Sequence, residues 1–279
     1  MRTRRDRPLL GTLVDIRVGG VDEARALSAI EAAFAEVADV HRLMSFHDAA
    51  SDVSRINRDA SCAPVAVDPR TREVIALALA FARASQGRFD PTVAAELVAW
   101  KSLPRPEGAP APAGDADWRD IELGDDGRIR AAKPLWIDLG GIAKGYAVDR
   151  AIERLIALGI ETACVNAGGD LRRIGHGTEP VHVRDPSAPH RPARTLLLGE
   201  GSIATSASSF ECAHVDATRR TPMHAHCVSV VADGCAVADA LTKIVMSDPC
   251  AAIPALDAWN AQAFVLEAAG DVRFLGRAA

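Results

Sequence analysis

Aromatic residues are scarce in this chain. Only 4% of its 279 residues are Phe, Trp or Tyr, although 48% are hydrophobic. The core must therefore be built mainly from Ala, Val, Leu and Ile, and it can be sizeable. We predict a single domain over residues 1–279, interrupted by an exposed Pro- and Ala-rich loop at about residues 102–117.

The chain also lacks an excess of basic residues, zinc-like cysteine spacing and long apolar runs. Its formal net charge is -5 and its pI is near 5.9, which argues against a nucleic-acid partner. The six cysteines form no Cys-x-x-Cys pair, so we interpret them as mostly buried thiols. No segment has the length of a membrane span or signal peptide. We expect a cytoplasmic protein, or a periplasmic one if a leader has been removed.

Hydrophobic periodicity predicts hairpins interleaved with a few long helices. This arrangement is typical of an α+β fold and not of a regular βαβ repeat. Helices are predicted at residues 22–43, 69–85, 146–158 and 236–246, and strands at residues 13–18, 121–123, 129–130, 135–139, 163–166, 181–184, 195–198, 227–231, 264–267 and 272–275.

The segment at residues 137–150, IDLGGIAKGYAVDR, carries the strongest chemical signal. A strand that runs through glycines into a helix exposes backbone N–H groups where an anion is favoured. Lys144 adds a mobile positive charge suited to a phosphate. Asp138 can accept a hydrogen bond from a ring N–H or a ribose hydroxyl. An ordinary strand–turn–helix connection with a solvated lysine is the alternative interpretation.

Two further glycine turns are weaker signals. Residues 166–170 read NAGGD after a predicted strand, and residues 87–93 read GRFDPTV before a predicted helix. Both patterns also occur in turns without any function. Only their combination with the segment at residues 137–150 indicates a ligand site.

These motifs, taken in order, resemble a known family. The sequence has Gly-Thr at positions 11–12, MSFHDAASDVSRIN at 44–57, then GRFDPTV, IDLGGIAKGYAVDR, NAGGDLR and ADALTK. This series resembles the ApbE flavin transferases, or FAD:protein FMN transferases, over about residues 7–246. The resemblance implies an α+β fold with a T-fold-like core, a mixed or antiparallel sheet and long helices, and two intimate lobes. FAD is bound between these lobes, with Mg²⁺ beside the pyrophosphate.

The resemblance also implies roles for individual residues. Asp239 is expected to be the chief Mg²⁺ ligand and the catalytic carboxylate, and His47 to stack on a flavin or adenine ring where the family usually has Tyr. The residues expected to bind FAD are Leu10, His47, Phe89, Asp90, Pro91, Thr92, Asp138, Lys144 and Asp170, and those expected to bind Mg²⁺ are Gly141, Asp239 and Thr242. No residue is identified as the general base.

The metal helix departs from the family pattern. The family commonly reads Asp-Ala-Leu-x-Thr, with Asp and Thr one helical turn apart, but here the position four after Asp239 is Lys243 and the threonine is Thr242. Thr242 still lies on nearly the same helix face. Lys243 can turn away to solvent, or its ammonium group can lie where Mg²⁺ would bind.

The loop that covers the nucleotide departs further. The family's His-Ile-x-Asp-Pro-x-Thr-Gly segment has no clear counterpart between residues 204 and 228. His224 or His226 can replace the loop histidine, with Arg219 and Arg220 near phosphate. A His-x-His pair on one strand face also suits a transition metal, or it can be a solvated or core pair.

Three functions remain open at this point. The first is transfer of FMN from FAD to a Ser or Thr hydroxyl of an acceptor protein, with release of AMP. The second is flavin binding without catalysis, with a degenerate metal site. The third is Mg²⁺-dependent hydrolysis of FAD to FMN and AMP.

Overall fold

The computed structural model describes residues 2–185, 188–207, 214–223, 227–266 and 272–276. The strands found there are β1 (Arg2–Leu9), β2 (Thr12–Gly19), β3 (Val65–Ala66), β4 (Ile121–Leu123), β5 (Arg128–Ala131), β6 (Thr162–Ala167), β7 (Asp170–Ile174), β8 (Glu179–Asp185), β9 (Ala188–Leu198), β10 (Gly201–Ala207), β11 (Val215–Asp216), β12 (Thr221–Pro222), β13 (Cys227–Ala232), β14 (Gln262–Leu266) and β15 (Val272–Leu275). The helices are α1 (Glu23–Met44), α2 (Asp52–Asp59), α3 (Pro69–Ala84), α4 (Ala94–Ala99), α5 (Ala143–Ala157), α6 (Cys235–Ser247) and α7 (Ile253–Ala258).

An eight-stranded antiparallel sheet, in the order β1-β2-β6-β7-β10-β13-β14-β15, organises the chain. Successive side chains of a strand point to opposite faces. Accordingly Val165 and Ala204 join the main core on one face, whereas Cys164 and Ile203 join a smaller cluster on the other. Both faces of the sheet are therefore covered, and the fold is α+β as expected.

Helices α1 and α3 begin within one residue of the predicted positions, whereas α5 begins at Ala143, three residues before its predicted start. Asp22 caps α1 by accepting a hydrogen bond of 2.9 Å from the Arg25 amide, and Asp68 caps α3, which has proline at its first position. Helix α5 packs between α1 and α6. This packing brings the start of α5 to the buried face of α6, where the predicted site residues lie.

The prediction of a strand at residues 135–139 is wrong. This segment has no ladder partner, and its backbone is held by a side chain instead: Asn57 Oδ1 accepts from the Ile137 amide at 2.7 Å and Asn57 Nδ2 donates to the Ile137 carbonyl at 3.1 Å. An extended segment with buried alternate residues gives the same pattern as a strand. Strand β1, which carries the basic N-terminal cluster, was not expected.

Residues 102–117, where the sequence predicts an exposed loop, contain no helix or strand. The loop is only partly exposed, because Ala109 is buried and Leu103 packs against the core. No helix in the described part of the chain is long and apolar enough to cross a membrane.

Candidate active site

The segment that leads into α5 is fixed on both sides. Asn57 holds Ile137, and the Asp138 amide donates to the Pro91 carbonyl at 2.8 Å. A Cβ at Gly140 would lie 2.9 Å from Asp138 Oδ2, so glycine leaves room for this carboxylate. Asp138 is partly buried, and burial raises the pKa of its carboxyl. The junction thus presents a constrained acceptor beside the start of a helix.

Helices α5 and α6 approach each other closely at Gly145. A Cβ there would be 2.3 Å from the Cys235 carbonyl oxygen, so only glycine permits this contact. The Gly145 amide donates to Asp239 Oδ2 at 3.3 Å. Asp149 of α5 in turn accepts from the Cys235 and Ala236 amides at 2.9 and 2.8 Å and so caps α6, whose own N-cap residue is glycine. The two helices therefore fix Asp239 next to the start of α5.

Two lysines and two aspartates form a buried charge cluster at this contact. Lys144 pairs with Asp170, and its ammonium nitrogen is 3.9 Å from Asp239 Oδ2. Lys243 Nζ is 2.5 Å from Asp239 Oδ1. Their formal charges cancel. Asp170 Oδ1 is buried and has no hydrogen-bond partner among the residues that the structure describes.

The electrostatic environment differs between the two carboxyls. Burial would raise the pKa of Asp239, but the ammonium groups of Lys144 and Lys243 outweigh it and hold that pKa below its ordinary value. Burial and the nearby Asp239 raise the pKa of Asp170. Asp239 is therefore the carboxylate that stays charged and anchors both ammonium groups.

Lys243 is enclosed by oxygen atoms. Besides Asp239 Oδ1, its Nζ has Ser206 Oγ at 2.8 Å, Thr242 Oγ1 at 3.0 Å and the Asp239 carbonyl at 3.3 Å. Thr242 Oγ1 also donates to the Asp239 carbonyl at 2.6 Å. A Cβ at Gly141 would lie 3.6 Å from Lys243 Cε. The lysine side chain thus occupies the space among the three predicted Mg²⁺ ligands, Gly141, Asp239 and Thr242.

A cleft of about 270 Å³ opens in front of Lys243. It is lined by Arg88, Phe89, Asp90, Val93, Leu97, Ser102, Leu103, Asp138, Gly140, Gly141, His214, Val215, Ala217, Met223 and Lys243. A second cavity, of about 620 Å³, contains His47 and shares Ser102 and Leu103 with the first. Together they have the size of a cofactor site. The fully buried Asp239 does not line this cleft, because Lys243 lies between them.

The predicted FAD residues divide into those that line a cavity and those that support it. Phe89, Asp90 and Asp138 line the first cavity, and His47 lines the second. Within the part of the chain that the structure describes, neither lining includes Pro91, Thr92, Lys144, Asp170 or Leu10. Contacts between these five residues and FAD stay predictions.

Thr92 and Arg220, one of the two arginines predicted near phosphate, hold Asp90. The Asp90 carboxylate accepts from the Thr92 amide at 2.8 Å, from the Thr92 hydroxyl at 2.7 Å and from Arg220 at 3.0 Å. Burial raises the pKa of Asp90. Arg219 pairs instead with Asp216 at 2.9 Å. Both arginine side chains therefore have carboxylate partners in this structure.

Leu10 lies in the two-residue turn between β1 and β2. Leu10 and Gly11 have φ values of 55° and 70°, as a type I′ hairpin requires. This turn leads to Thr12, which packs against Gly168: a Cβ at Gly168 would be 2.6 Å from Thr12 Oγ1. Leu10 itself packs against the main core. A contact between Leu10 and FAD stays a prediction.

His214 was missed in the sequence. It lines the cleft together with Lys243 and Asp138. Burial and the ammonium groups of Lys243 and Lys144 lower the pKa of His214 to about 3, so its imidazole is neutral at pH 7. The signal was His-Val-Asp at residues 214–216, one residue shorter than the family's His-Ile-x-Asp. His224 and His226, which the sequence suggested instead, lie outside the described residues.

No group of three or more His, Cys, Asp or Glu side chains in the described ranges is arranged to hold a metal ion. The polar groups that line the cleft include the Lys243 ammonium group, the neutral His214 imidazole and the carboxylates of Asp90 and Asp138. A ligand that has both polar groups and an aromatic ring suits these groups and the apolar side chains of the cleft. The fold and the cleft thus define an α+β protein with a cleft lined by both charged and apolar side chains.

Comparison with known sequences identifies the family. The sequence model of the ApbE family matches residues 10–257, which is most of the chain, and the protein therefore belongs to that family. The fold agrees. A crystal structure of an ApbE protein from Thermotoga maritima superposes with a TM-score of 0.84 at 27% identity and covers 98% of this chain and 96% of its own. The flavin transferase ApbE from Vibrio cholerae has the same fold, with a TM-score of 0.78 at 21% identity over 98% of this chain and 96% of its own.

Relatives in other bacteria are named FAD:protein FMN transferase. The Treponema pallidum protein is 26% identical over 225 residues, covering 71% of this chain and 62% of that protein. The Rhodobacter capsulatus protein is 32% identical over 193 residues, covering 64% of this chain and 36% of that protein. The chain thus spans less than two thirds of these two relatives. The Vibrio cholerae protein is 28% identical over 267 residues, covering 86% of this chain and 79% of that protein.

Proposed function

We propose that this protein transfers FMN from FAD to a Ser or Thr hydroxyl of an acceptor protein and releases AMP. The observation that carries the proposal is the cleft at the 137–145 junction, where Asp138, Lys243 and His214 meet in a chain of the ApbE family. The names of the relatives support the reaction. FAD is the substrate in this proposal, and the acceptor is a protein.

The proposed reaction transfers the FMN phosphoryl group of FAD to the acceptor hydroxyl. The acceptor hydroxyl oxygen bonds to the phosphorus on the FMN side of FAD, the bond from that phosphorus to the bridging oxygen breaks, and AMP leaves. The hydroxyl proton passes to the neutral imidazole of His214 and then to solvent. A pyrophosphate bound beside His214 would favour the protonated imidazole, since an opposite charge stabilises the charged form.

The ring contacts follow from the cavity linings. Phe89 lines the cleft and offers its ring to the isoalloxazine of FAD. His47 lines the second cavity and offers its imidazole to the adenine ring. Asp138 accepts a hydrogen bond from FAD. Binding both ends of the substrate holds the pyrophosphate between them, and such positioning provides a large part of a transfer rate.

The magnesium ion implied by the resemblance does not fit the residues present. Mg²⁺ needs near-octahedral oxygen ligands at about 2.0–2.1 Å. Asp239 Oδ1 is held by Lys243 at 2.5 Å, and Thr242 Oγ1 is engaged with the Asp239 carbonyl at 2.6 Å. An ammonium group at the ligand oxygens would repel the ion. We therefore assign no step of the reaction to Mg²⁺.

A second candidate function is FAD binding without transfer. The ion pair between Lys243 and Asp239 favours this function, because Lys243 lies where the resemblance places the metal ion beside the pyrophosphate. FAD would then be held and remain intact.

One assay separates these functions. The pure protein is incubated with FAD and with an acceptor protein of the Vibrio cholerae relative, and the acceptor is weighed by mass spectrometry while AMP is quantified. Transfer predicts a mass gain of one FMN less water, with equimolar AMP. AMP without that gain means hydrolysis, and FAD binding with neither product means a binding protein. The variant His214→Asn provides the control: FAD affinity stays and transfer falls about 10²–10⁴-fold if its imidazole takes the proton.

A further inference from the structure

Lys243 lies at the position that a cation would take. Its side chain lies among Gly141, Asp239 and Thr242, the three residues that the family resemblance assigns to the metal. Four oxygen atoms surround its nitrogen within 3.3 Å, and its side chain is only 13% exposed. An ammonium group has three protons, so these oxygens satisfy it fully, as ligands satisfy a bound cation.

We propose that the Lys243 ammonium group permanently replaces the divalent cation, so that FAD binds to this protein without any metal ion. This inference rests on the proposed function in one respect, namely that FAD is the ligand. It specifies which positive charge compensates the Asp239 carboxylate beside the bound pyrophosphate.

The charge balance of the cluster supports this role. With Lys144 and Lys243 present, the two ammonium groups cancel Asp170 and Asp239. Without Lys243 the cluster would carry an uncompensated carboxylate facing the cleft, and a pyrophosphate would be repelled. A divalent ion or an ammonium group can each remove that carboxylate charge. In this protein the ammonium group of Lys243 has that role.

The lysine also blocks the alternative in which a metal enters beside it. Asp239 is fully buried and does not reach the cleft, since Lys243 lies in front of it. A metal ion would have to displace the ammonium group from Asp239, Ser206 and Thr242 together. Breaking a buried ion pair leaves an uncompensated charge unless the ion takes its place at once.

FAD affinity, measured by quenching of flavin fluorescence in chelator and in Mg²⁺, tests the proposal. Wild-type protein is expected to bind FAD with dissociation constants that agree within about twofold in the two buffers. Lys243→Thr restores the family residue, so it should bind at least about tenfold more weakly in chelator and recover affinity in Mg²⁺. Lys243→Met has neither charge nor donor oxygen and should bind weakly in both buffers.

The control is Lys133→Thr, which removes a lysine paired with the exposed Asp115, outside the cleft. It should behave as wild type. Isothermal calorimetry with Mg²⁺ alone should detect binding to Lys243→Thr and none to wild type. Thermal unfolding of each variant verifies that it folds. If a variant does not fold, the comparison of wild-type FAD affinity in chelator and in Mg²⁺ still tests the proposal.

Three results overturn the proposal. The first is a wild-type protein whose dissociation constant for FAD is at least about tenfold lower in Mg²⁺ than in chelator. This result would leave the transferase proposal intact. The second is a Lys243→Thr protein with wild-type affinity in chelator. The third is a loss in that variant which Mg²⁺ does not restore. If wild type binds no FAD in either buffer, the proposed function itself fails.

Discussion

Replacing Gly145 by alanine tests whether the close contact of α5 and α6 builds the site. A Cβ at this position would lie 2.3 Å from the Cys235 oxygen, 2.6 Å from the Cys235 carbonyl carbon and 2.8 Å from Ala236 Cα. All three atoms belong to the backbone, so no side-chain rotation can relieve the clash. An ordinary contact begins near 3.4 Å, and the helices must therefore separate by 3.4 − 2.3 = 1.1 Å.

The energetic estimate follows from that displacement. Overpacking of a tight contact costs about 1–3 kcal/mol. Alanine is favoured over glycine within a helix by about 1 kcal/mol, which offsets part of this cost. We expect Gly145→Ala to lower the free energy of unfolding by up to about 2 kcal/mol, and FAD affinity to fall because the 3.3 Å contact from Gly145 to Asp239 lengthens.

Urea unfolding and fluorescence titration with FAD measure the two effects. Gly114→Ala is the matched control, because a Cβ there meets no atom within 4 Å. This control should be neutral or slightly stabilising. A Gly145→Ala protein that is at least as stable as wild type, with unchanged FAD affinity, would refute the reasoning, since it would mean that the helices can separate without cost to the site.

Three other predictions concern single side chains of the site. Asp149→Asn should lower the free energy of unfolding by about 1–3 kcal/mol in urea, because one amide at the start of α6 loses its acceptor; equal stability would contradict the capping role. Asp138→Ala should weaken FAD binding by about 1–3 kcal/mol in fluorescence titrations, and an unchanged dissociation constant would count against Asp138 as a ligand. The His214 imidazole resonances should stay constant in NMR from pH 8 to pH 5, because the pKa of this ring is lowered to about 3. The stability that the neutral ring contributes is present above pH 6.5 and is lost as the pH falls toward 3. Titration of these resonances near pH 6.5 would show a solvated ring instead.

Elements with strong local signals were predictable from the sequence. Asp22 and Asp68 are capping residues in front of periodic apolar positions, and the observed helices α1 and α3 begin directly after them. The junction at residues 137–145 was identified because its glycines precede a helix. In these cases the determining interactions lie within one or two helical turns of each other.

The extended segment at residues 135–139 illustrates what local signals leave open. Its alternation matches a strand, but the groups that satisfy its backbone are the Asn57 side chain and the Pro91 carbonyl, both distant in the sequence. His214 was overlooked for a related reason. The shortened His-Val-Asp segment is unremarkable by itself, and only the tertiary structure shows that His214 lines the same cleft as Lys243 and Asp138.

Lys243 is the residue for which the tertiary structure decides the chemistry. A lysine four residues after an aspartate on a helix forms, in most settings, a solvated pair worth a few tenths of a kcal/mol. The same spacing gives a different result here, because Ser206 of β10 closes one side of the lysine and Gly141 of the glycine junction closes another. With solvent largely excluded, the ammonium group directs its protons to Asp239 and to the hydroxyls of Ser206 and Thr242, and the lysine side chain lines the cleft.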